Sequence, residues 1–396
     1  MIKLIFCILC ISLTTTYAAV HKVEISSTGS TLAKLVRKGL LQEYLAERNL
    51  ARTQVLATGS EPFLDYYDEF YLGKVLIGTP AQTLQLGLDT ASSNLWVIDS
   101  NCTTQACNGV PASGYTKTKF DSTRSSTFTS EKRTFTIRYG LGSCKGYLSK
   151  DKVSFGGLTI DVQEFGVSTH LAKVFGSQPL DGMMGLAWPA LAVDNVVPPM
   201  QNVLPQLDQP IFTVFLRRRI DDPVGANGGL ITYGGLDTVN CDSKINYVEL
   251  TSETYWQFQI HGFSIGDYTT NRKAKAISDT GTSWIGCPEI AFNGILQQTK
   301  AQYSSKDELY LVPCDAEPTL PDLIFTINDI KYNIPAIEYV LDIGLGNGKC
   351  AITFFSQSSG GFTPSWNFGD TFIRTYCNIY DIGQKRIGFA LAKQRL

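Results

Sequence analysis

From Tyr71 onward the chain alternates apolar and polar positions over short runs, as in Thr134-Phe135-Thr136-Ile137-Arg138-Tyr139 and Asp322-Leu323-Ile324-Phe325-Thr326-Ile327, with Gly, Asn and Pro breaking each run. Alternation with period two, in residues that are largely β-branched or aromatic, predicts strands, so the chain is expected to be mostly β with few helices. One helix is predicted from Pro288 to Tyr303, where Ile290, Ile295 and Leu296 are apolar and Gln297, Gln298 and Lys300 polar. The N-terminal part follows another period. Between Thr31 and Ala51, Leu32, Leu35, Val36, Leu40, Leu41, Tyr44 and Leu45 recur at i, i+3, i+4 spacing, and Lys34, Arg37, Lys38, Glu43, Glu47 and Arg48 take the other side. That pattern predicts an amphipathic helix.

Two runs interrupt the β pattern in the same way. Asp89-Thr90-Ala91-Ser92-Ser93 follows Leu84-Gln85-Leu86-Gly87-Leu88, and 190 residues later Asp279-Thr280-Gly281-Thr282-Ser283 follows Ala274-Lys275-Ala276-Ile277-Ser278. An acidic residue on a small-residue turn behind an apolar strand sits at the floor of a fold. Two copies imply two pseudo-equivalent lobes that bring the carboxylates together, where they cannot both ionise cheaply and so share a proton. Such a pair is a general acid and a general base at one point. Beyond each turn lies an apolar-apolar-Gly element, Met183-Met184-Gly185-Leu186 and Phe368-Gly369-Asp370-Thr371-Phe372. Competing chemistries have little support. Beyond the N-terminal segment the histidines are His170 and His261, too few and scattered for a zinc site or a nucleophile-base pair, and there is no G-x-S-x-G or phosphate-binding glycine loop.

The flanks of the two turns narrow the reading. The first continues Asn94-Leu95-Trp96-Val97 and is preceded by Tyr71-Leu72-Gly73-Lys74-Val75-Leu76-Ile77-Gly78-Thr79-Pro80; the second continues Trp284-Ile285-Gly286. From about Glu61 to the C-terminus the chain resembles pepsin-like (cathepsin D-type) aspartic endopeptidases, and the spelling Asp-Thr-Ala-Ser-Ser-Asn-Leu-Trp-Val-Ile-Asp is most similar to nematode members. The resemblance implies a bilobal pepsin-like acid protease fold, two β-rich lobes with a cleft between them. It implies that Asp89 and Asp279 are catalytic and hold a water, with Ser92, Thr282 and Gly281 supporting the dyad. Tyr139 and Gly140 belong to a flap hairpin, and Tyr139 is expected to bond toward Trp96. The implied partners are extended polypeptide substrates with bulky hydrophobic residues at the scissile bond, the chain's own propeptide and pepstatin-type inhibitors. No cofactor or metal is expected, no nucleic acid or membrane partner, and the chain is expected to be a monomer. Leu180 and Val174 are read either as pocket lining or as core.

Three positions depart from the family's usual pattern. Leu141 replaces a small polar residue at the flap tip, and Asn367 stands where an aliphatic residue is usual. Ala91 occupies a position where glycine is preferred, and positive φ there would cost alanine about 1 to 2 kcal/mol. Ala91 therefore keeps open an alternative, a catalytically weak or inactive peptide-binding protein on the same scaffold.

Composition bounds these readings. A chain of 396 residues with 43% apolar residues and 11% aromatics can bury one large core or two medium ones. The net charge of −2 gives no reason to expect nucleic acid or an anionic membrane as partner. Arg217-Arg218-Arg219 is locally basic and is read as an exposed hairpin. Lys3, the apolar run from Leu4 to Ile11 and small residues at Ala18 and Ala19 read as a signal peptide, too short for a membrane anchor. The expected organisation is 1–18 signal peptide, 19–60 propeptide, 61–238 N-terminal lobe with flap and 239–396 C-terminal lobe. The expected destination is the secretory pathway, with secretion (a gut lumen or the extracellular space) or the lysosome beyond. Residues 20–60 carry six basic and three acidic side chains, whereas residues 61–396 carry 27 and 33, so opposite charge draws the first segment onto the second. Lys34, Arg37, Lys38, Arg48 and Arg52 are its expected contacts. Eight cysteines remain after Cys7 and Cys10 leave with the signal, and an even count in an oxidising compartment argues for disulfides. The family resemblance pairs Cys102 with Cys107 and Cys314 with Cys350, leaving the pairing or freedom of Cys144, Cys241, Cys287 and Cys377 open. Asn101-Cys102-Thr103 is a glycosylation sequon at Asn101, with a disulfide expected at its centre.

Overall fold

The computed structural model describes residues 20–46, 48–49, 71–110, 114–139, 142–218, 227–357 and 364–394. The expected signal peptide, Arg52, Gly140, Leu141 and Arg219 lie outside the described residues. The architecture is mostly β and bilobal. The chain enters as strand β1 (His21–Ser27) and helix α1 (Thr31–Arg37). It then lays down β2 (Tyr71–Ile77), β3 (Gln82–Asp89), β4 (Leu95–Ile98), β5 (Thr129–Tyr139), β6 (Gly142–Phe155), β7 (Leu158–Leu171) and β8 (Gly182–Gly185). β9 (Ile211–Leu216), β10 (Asn227–Tyr233) and β11 (Asn246–Glu249) follow. In the second lobe β12 (Ala274–Ser278), β13 (Ile285–Cys287) and β14 (Trp366–Phe368) belong to a six-stranded sheet, and β15 (Tyr376–Asp381) and β16 (Arg386–Leu391) end the chain. A 13-stranded sheet runs in the order β11-β16-β15-β9-β10-β1-β2-β3-β8-β4-β7-β6-β5, so both lobes share it.

The duplication inferred from the two acidic turns appears in the strand pairing. β3 runs parallel to β8, which runs antiparallel to β4; β12 runs parallel to β14, which runs antiparallel to β13. The glycine closing each apolar-apolar-Gly element permits this packing. A Cβ on Gly185 would stand 2.4 Å from the Ser93 nitrogen, and one on Gly369 would stand 2.2 Å from the Thr282 carbonyl oxygen. Any side chain at either position would push an aspartate turn out of place.

The predicted helix after the second turn is present but shorter: α2 (Glu289–Thr299) ends where Lys300 turns left-handed at φ 54°, and Gln302–Ser304 is a strand. Its buried face is Ala291, Phe292 and Ile295, whereas Ile290, expected inside, is 70% exposed. No described helix is long and apolar enough to cross a membrane.

The N-terminal segment also differs from its predicted form. The single helix expected from Thr31 to Ala51 is broken after α1, because Gly39 takes φ 67° and donates to the Val36 carbonyl, a left-handed glycine stop. Helix resumes at Leu41, and the apolar face continues across the break. Leu32, Leu35, Leu41 and Leu45 are buried against Trp284, Leu309, Leu311 and Phe355 of the second lobe. β1 was not anticipated, although Val23 and Ile25 alternate with Lys22, Glu24 and Ser26; it is paired along its length with β10 and at its end with β2. Arg48, 2% exposed, lies 2.8 Å from Glu308, and the Asn49 amide donates to the same carboxylate at 2.7 Å. Lys34 donates to the Thr28 carbonyl of its own segment.

Disulfides join Cys102 to Cys107, Cys314 to Cys350 and Cys241 to Cys377. Cys144 and Cys287 are buried thiols, and burial pushes Cys144 up to about 12. Arg218 is not a solvated hairpin charge: it pairs with Glu338, whose side chain is fully buried and which also accepts from Arg374 Nε at 3.1 Å.

Candidate active site

β3 and β12 each deliver an aspartate, Asp89 and Asp279, to the floor of a cleft of about 640 Å³. The turns behind them interlock. Thr90 Oγ1 accepts from the Thr280 backbone N–H at 3.0 Å and donates to the Ser278 carbonyl at 2.9 Å. Thr280 Oγ1 accepts from the Thr90 N–H at 3.0 Å and donates to the Leu88 carbonyl at 2.6 Å. Each threonine thus satisfies two backbone groups of the other copy, and this exchange holds the turns together in a dry floor. Both threonines follow their aspartate by one residue, and that recurrence is the sequence signal for this exchange.

The carboxyl groups themselves meet. A Cβ built on Gly281 would lie 2.6 Å from Asp89 Oδ1 and 3.1 Å from Asp279 Oδ1, so a single methyl group would touch both. Each inner oxygen accepts a backbone N–H at 2.8 Å, Asp89 from Ala91 and Asp279 from Gly281. Ser92 donates its hydroxyl to Asp89 Oδ2, and Thr282 donates to Asp279 Oδ2 at 2.6 Å. A further donor reaches Asp279 alone: Asn367 Nδ2 lies 2.8 Å from its Oδ2. Burial, then the charge of Asp279, raises the pKa of Asp89 well above the carboxylate range. Burial also raises Asp279, opposed by donors from Thr282, Asn367 and Gly281. Two carboxyls in contact with both affinities raised hold a proton jointly in the acid range.

The hairpin β5–β6 places Tyr139 at the edge of the cleft. Trp96 Nε1 donates to the Tyr139 hydroxyl at 2.7 Å. Trp96 is fully buried beside Phe175, which fixes its donor. Ala91 lines the cleft and is not among the residues with positive φ, so its methyl group carries no backbone strain. The methyl group narrows the floor of the cleft. Leu180 and Val174 are buried in the first-lobe core and do not line the cleft; Ile137, Met183, Val193, Ile277 and Pro364 do. Asn101 is exposed, and its amide donates to Asp99 at 3.1 Å.

The family described as Eukaryotic aspartyl protease matches residues 70–392.

The chain belongs to the eukaryotic aspartyl protease family.

Aspartic protease 1 of Caenorhabditis elegans is 57% identical over 377 residues, covering 95% of each chain, and Aspartic protease 17 of the same organism is 51% identical over 376 residues, again covering 95% of each. Gastricsin of Homo sapiens is 35% identical over 390 residues, covering 95% of this chain and 96% of its own. The protein is accordingly an aspartic-type endopeptidase of the pepsin-like kind, acting on peptides.

Proposed function

We propose that Asp89 and Asp279 are the catalytic pair of this aspartyl protease. A water held between them attacks the peptide carbonyl as one carboxylate takes its proton, while the other, protonated, donates to the carbonyl oxygen. The tetrahedral intermediate collapses when the amine leaves with a proton from the pair, and no covalent enzyme intermediate forms. Contact of both carboxyls with one point above Gly281 carries this reading. Ser92 orients the Asp89 side, and Thr282 and Asn367 the Asp279 side. Substrate lies extended under the flap, and the apolar lining at Ile137, Met183, Val193, Ile277 and Pro364 favours bulky hydrophobic residues at the scissile bond.

The residues before the first lobe act as a propeptide in this reading, spanning 19–60, and the precursor enters the secretory pathway. Support comes from β1, seated between β2 and β10, and from the Arg48–Glu308 pair, which protonation of the carboxylate would weaken. The test is digestion of an acid-denatured protein with and without pepstatin. Cleavage should be pepstatin-sensitive and fall at least about a hundredfold in Asp89→Asn and in Asp279→Asn. Cleavage that survives either substitution overturns the assignment. Terminal sequencing before and after acid treatment tests the precursor, which should lose its first segment; an N-terminus unchanged in the active form rejects it.

A further inference from the structure

The two lobes repeat a strand pattern but differ in chemistry at one matched position. Gly87 of β3 pairs with Met183 of β8, and Ile277 of β12 pairs with Asn367 of β14. Met183 offers a thioether, which has no proton to give. Asn367 offers an amide that is 2% exposed, with Nδ2 2.8 Å from Asp279 Oδ2 and 3.1 Å from Thr282 Oγ1. Its Oδ1 is enclosed and has no hydrogen-bond partner among the described residues. A buried amide with one unmet acceptor costs stability that an aliphatic side chain of the same size would not. The compensating feature is the donor aimed at one member of the pair.

We propose that Asn367 is a positioning residue that keeps Asp279 ionised and directs the shared proton to Asp89, extending activity to lower pH. The proposal rests on the assignment of these aspartates as the catalytic pair. Asp279 receives three donors, the Gly281 N–H, the Thr282 hydroxyl and the Asn367 amide, whereas the side-chain and turn donors on Asp89 are the Ala91 N–H and the Ser92 hydroxyl. A donor to the charged form favours that form, so the better-supplied carboxyl loses its proton first. The other ionisable groups facing Asp279 do not offset this bias. Tyr255 and Tyr380 are held above their ordinary values by burial and stay neutral through the acid range, and Asp370 acts on the same Tyr380. From the β5–β6 hairpin, Arg138 and Lys145 line the same cleft.

The test is kcat/KM against pH for wild type, Asn367→Leu and Asn367→Met, the last repeating the first lobe's own residue. Both variants should remain active, with the acid limb moved up by about one pH unit, the effect of one charge-assisted hydrogen bond, and the alkaline limb little changed. An unmoved acid limb overturns the proposal. So does a limb moved down, which an amide presenting its carbonyl to Asp279 would give, or a folded variant inactive at every pH. Carboxyl ¹³C shifts of the wild-type protein give a second reading, in which Asp279 must ionise before Asp89; the reverse order overturns the proposal whether or not the variants fold. Asp279→Asn measured in parallel separates the two levels. Pepstatin-sensitive activity there rejects the pair itself, whereas a dead Asp279→Asn beside an unshifted Asn367→Leu rejects only the role of Asn367.

Discussion

Replacing Thr90 by valine keeps the side chain's shape and removes one oxygen. That oxygen accepts the Thr280 N–H at 3.0 Å and donates to the Ser278 carbonyl at 2.9 Å, and Thr90 is fully buried. Two hydrogen bonds of about 1 kcal/mol each are lost, and a backbone donor and acceptor of the second lobe are left in a floor that water does not reach, which adds more. The expected cost is about 3 kcal/mol. Thr90→Ser keeps the oxygen and loses one methyl group, at about 1 kcal/mol. Urea unfolding of the three proteins at one pH provides the comparison, read as midpoints with a shared slope. Peptidase activity should follow the same order, since these bonds hold the aspartate turns in register. Equal midpoints for the valine and serine variants would refute the view that the threonine exchange clamps the floor.

Other outcomes follow from the same geometry. Ala91→Gly should change stability by less than about 1 kcal/mol and leave cleavage intact, because Ala91 does not need positive φ, whereas Gly281→Ala should abolish cleavage by driving a methyl group to 2.6 Å from Asp89 Oδ1; assays of the two purified variants check both. Glu338→Leu leaves Arg218 and Arg374 facing each other without their buried carboxylate and should cost about 3 kcal/mol, measurable as a lower urea midpoint. The folded pKa of Asp89 is raised, so the stability linked to its protonation is complete below the ordinary aspartate range and is lost as pH rises through the raised value. Asp89→Asn should therefore unfold at a higher temperature than wild type near neutral pH, with the gap closing in acid; calorimetry at several pH values would detect it, and a gap that widens in acid contradicts the sign.

Period and local chemistry were enough to reveal the β character, the duplication and the two acidic turns, because a strand's alternation and a turn's small residues are properties of neighbouring positions. The helix after the second turn was legible too, but its buried side was not: Ile290 is 70% exposed because packing, rather than hydropathy alone, chooses the face. The break at Gly39 and the strand at His21–Ser27 were written locally, yet the helical period around them was the stronger signal. Other features depend on which distant groups meet. That Thr90 exchanges bonds with Thr280, that Cys241 finds Cys377 while Cys144 and Cys287 stay thiols, and that Arg218 reaches Glu338 follow from the packing of lobes far apart in the chain. The φ of Ala91 and the direction of the Asn367 amide were likewise undecidable from residue type, since each is set by the strands and turns folded around it. The residues name the acids; only the closed fold places them where they must share a proton.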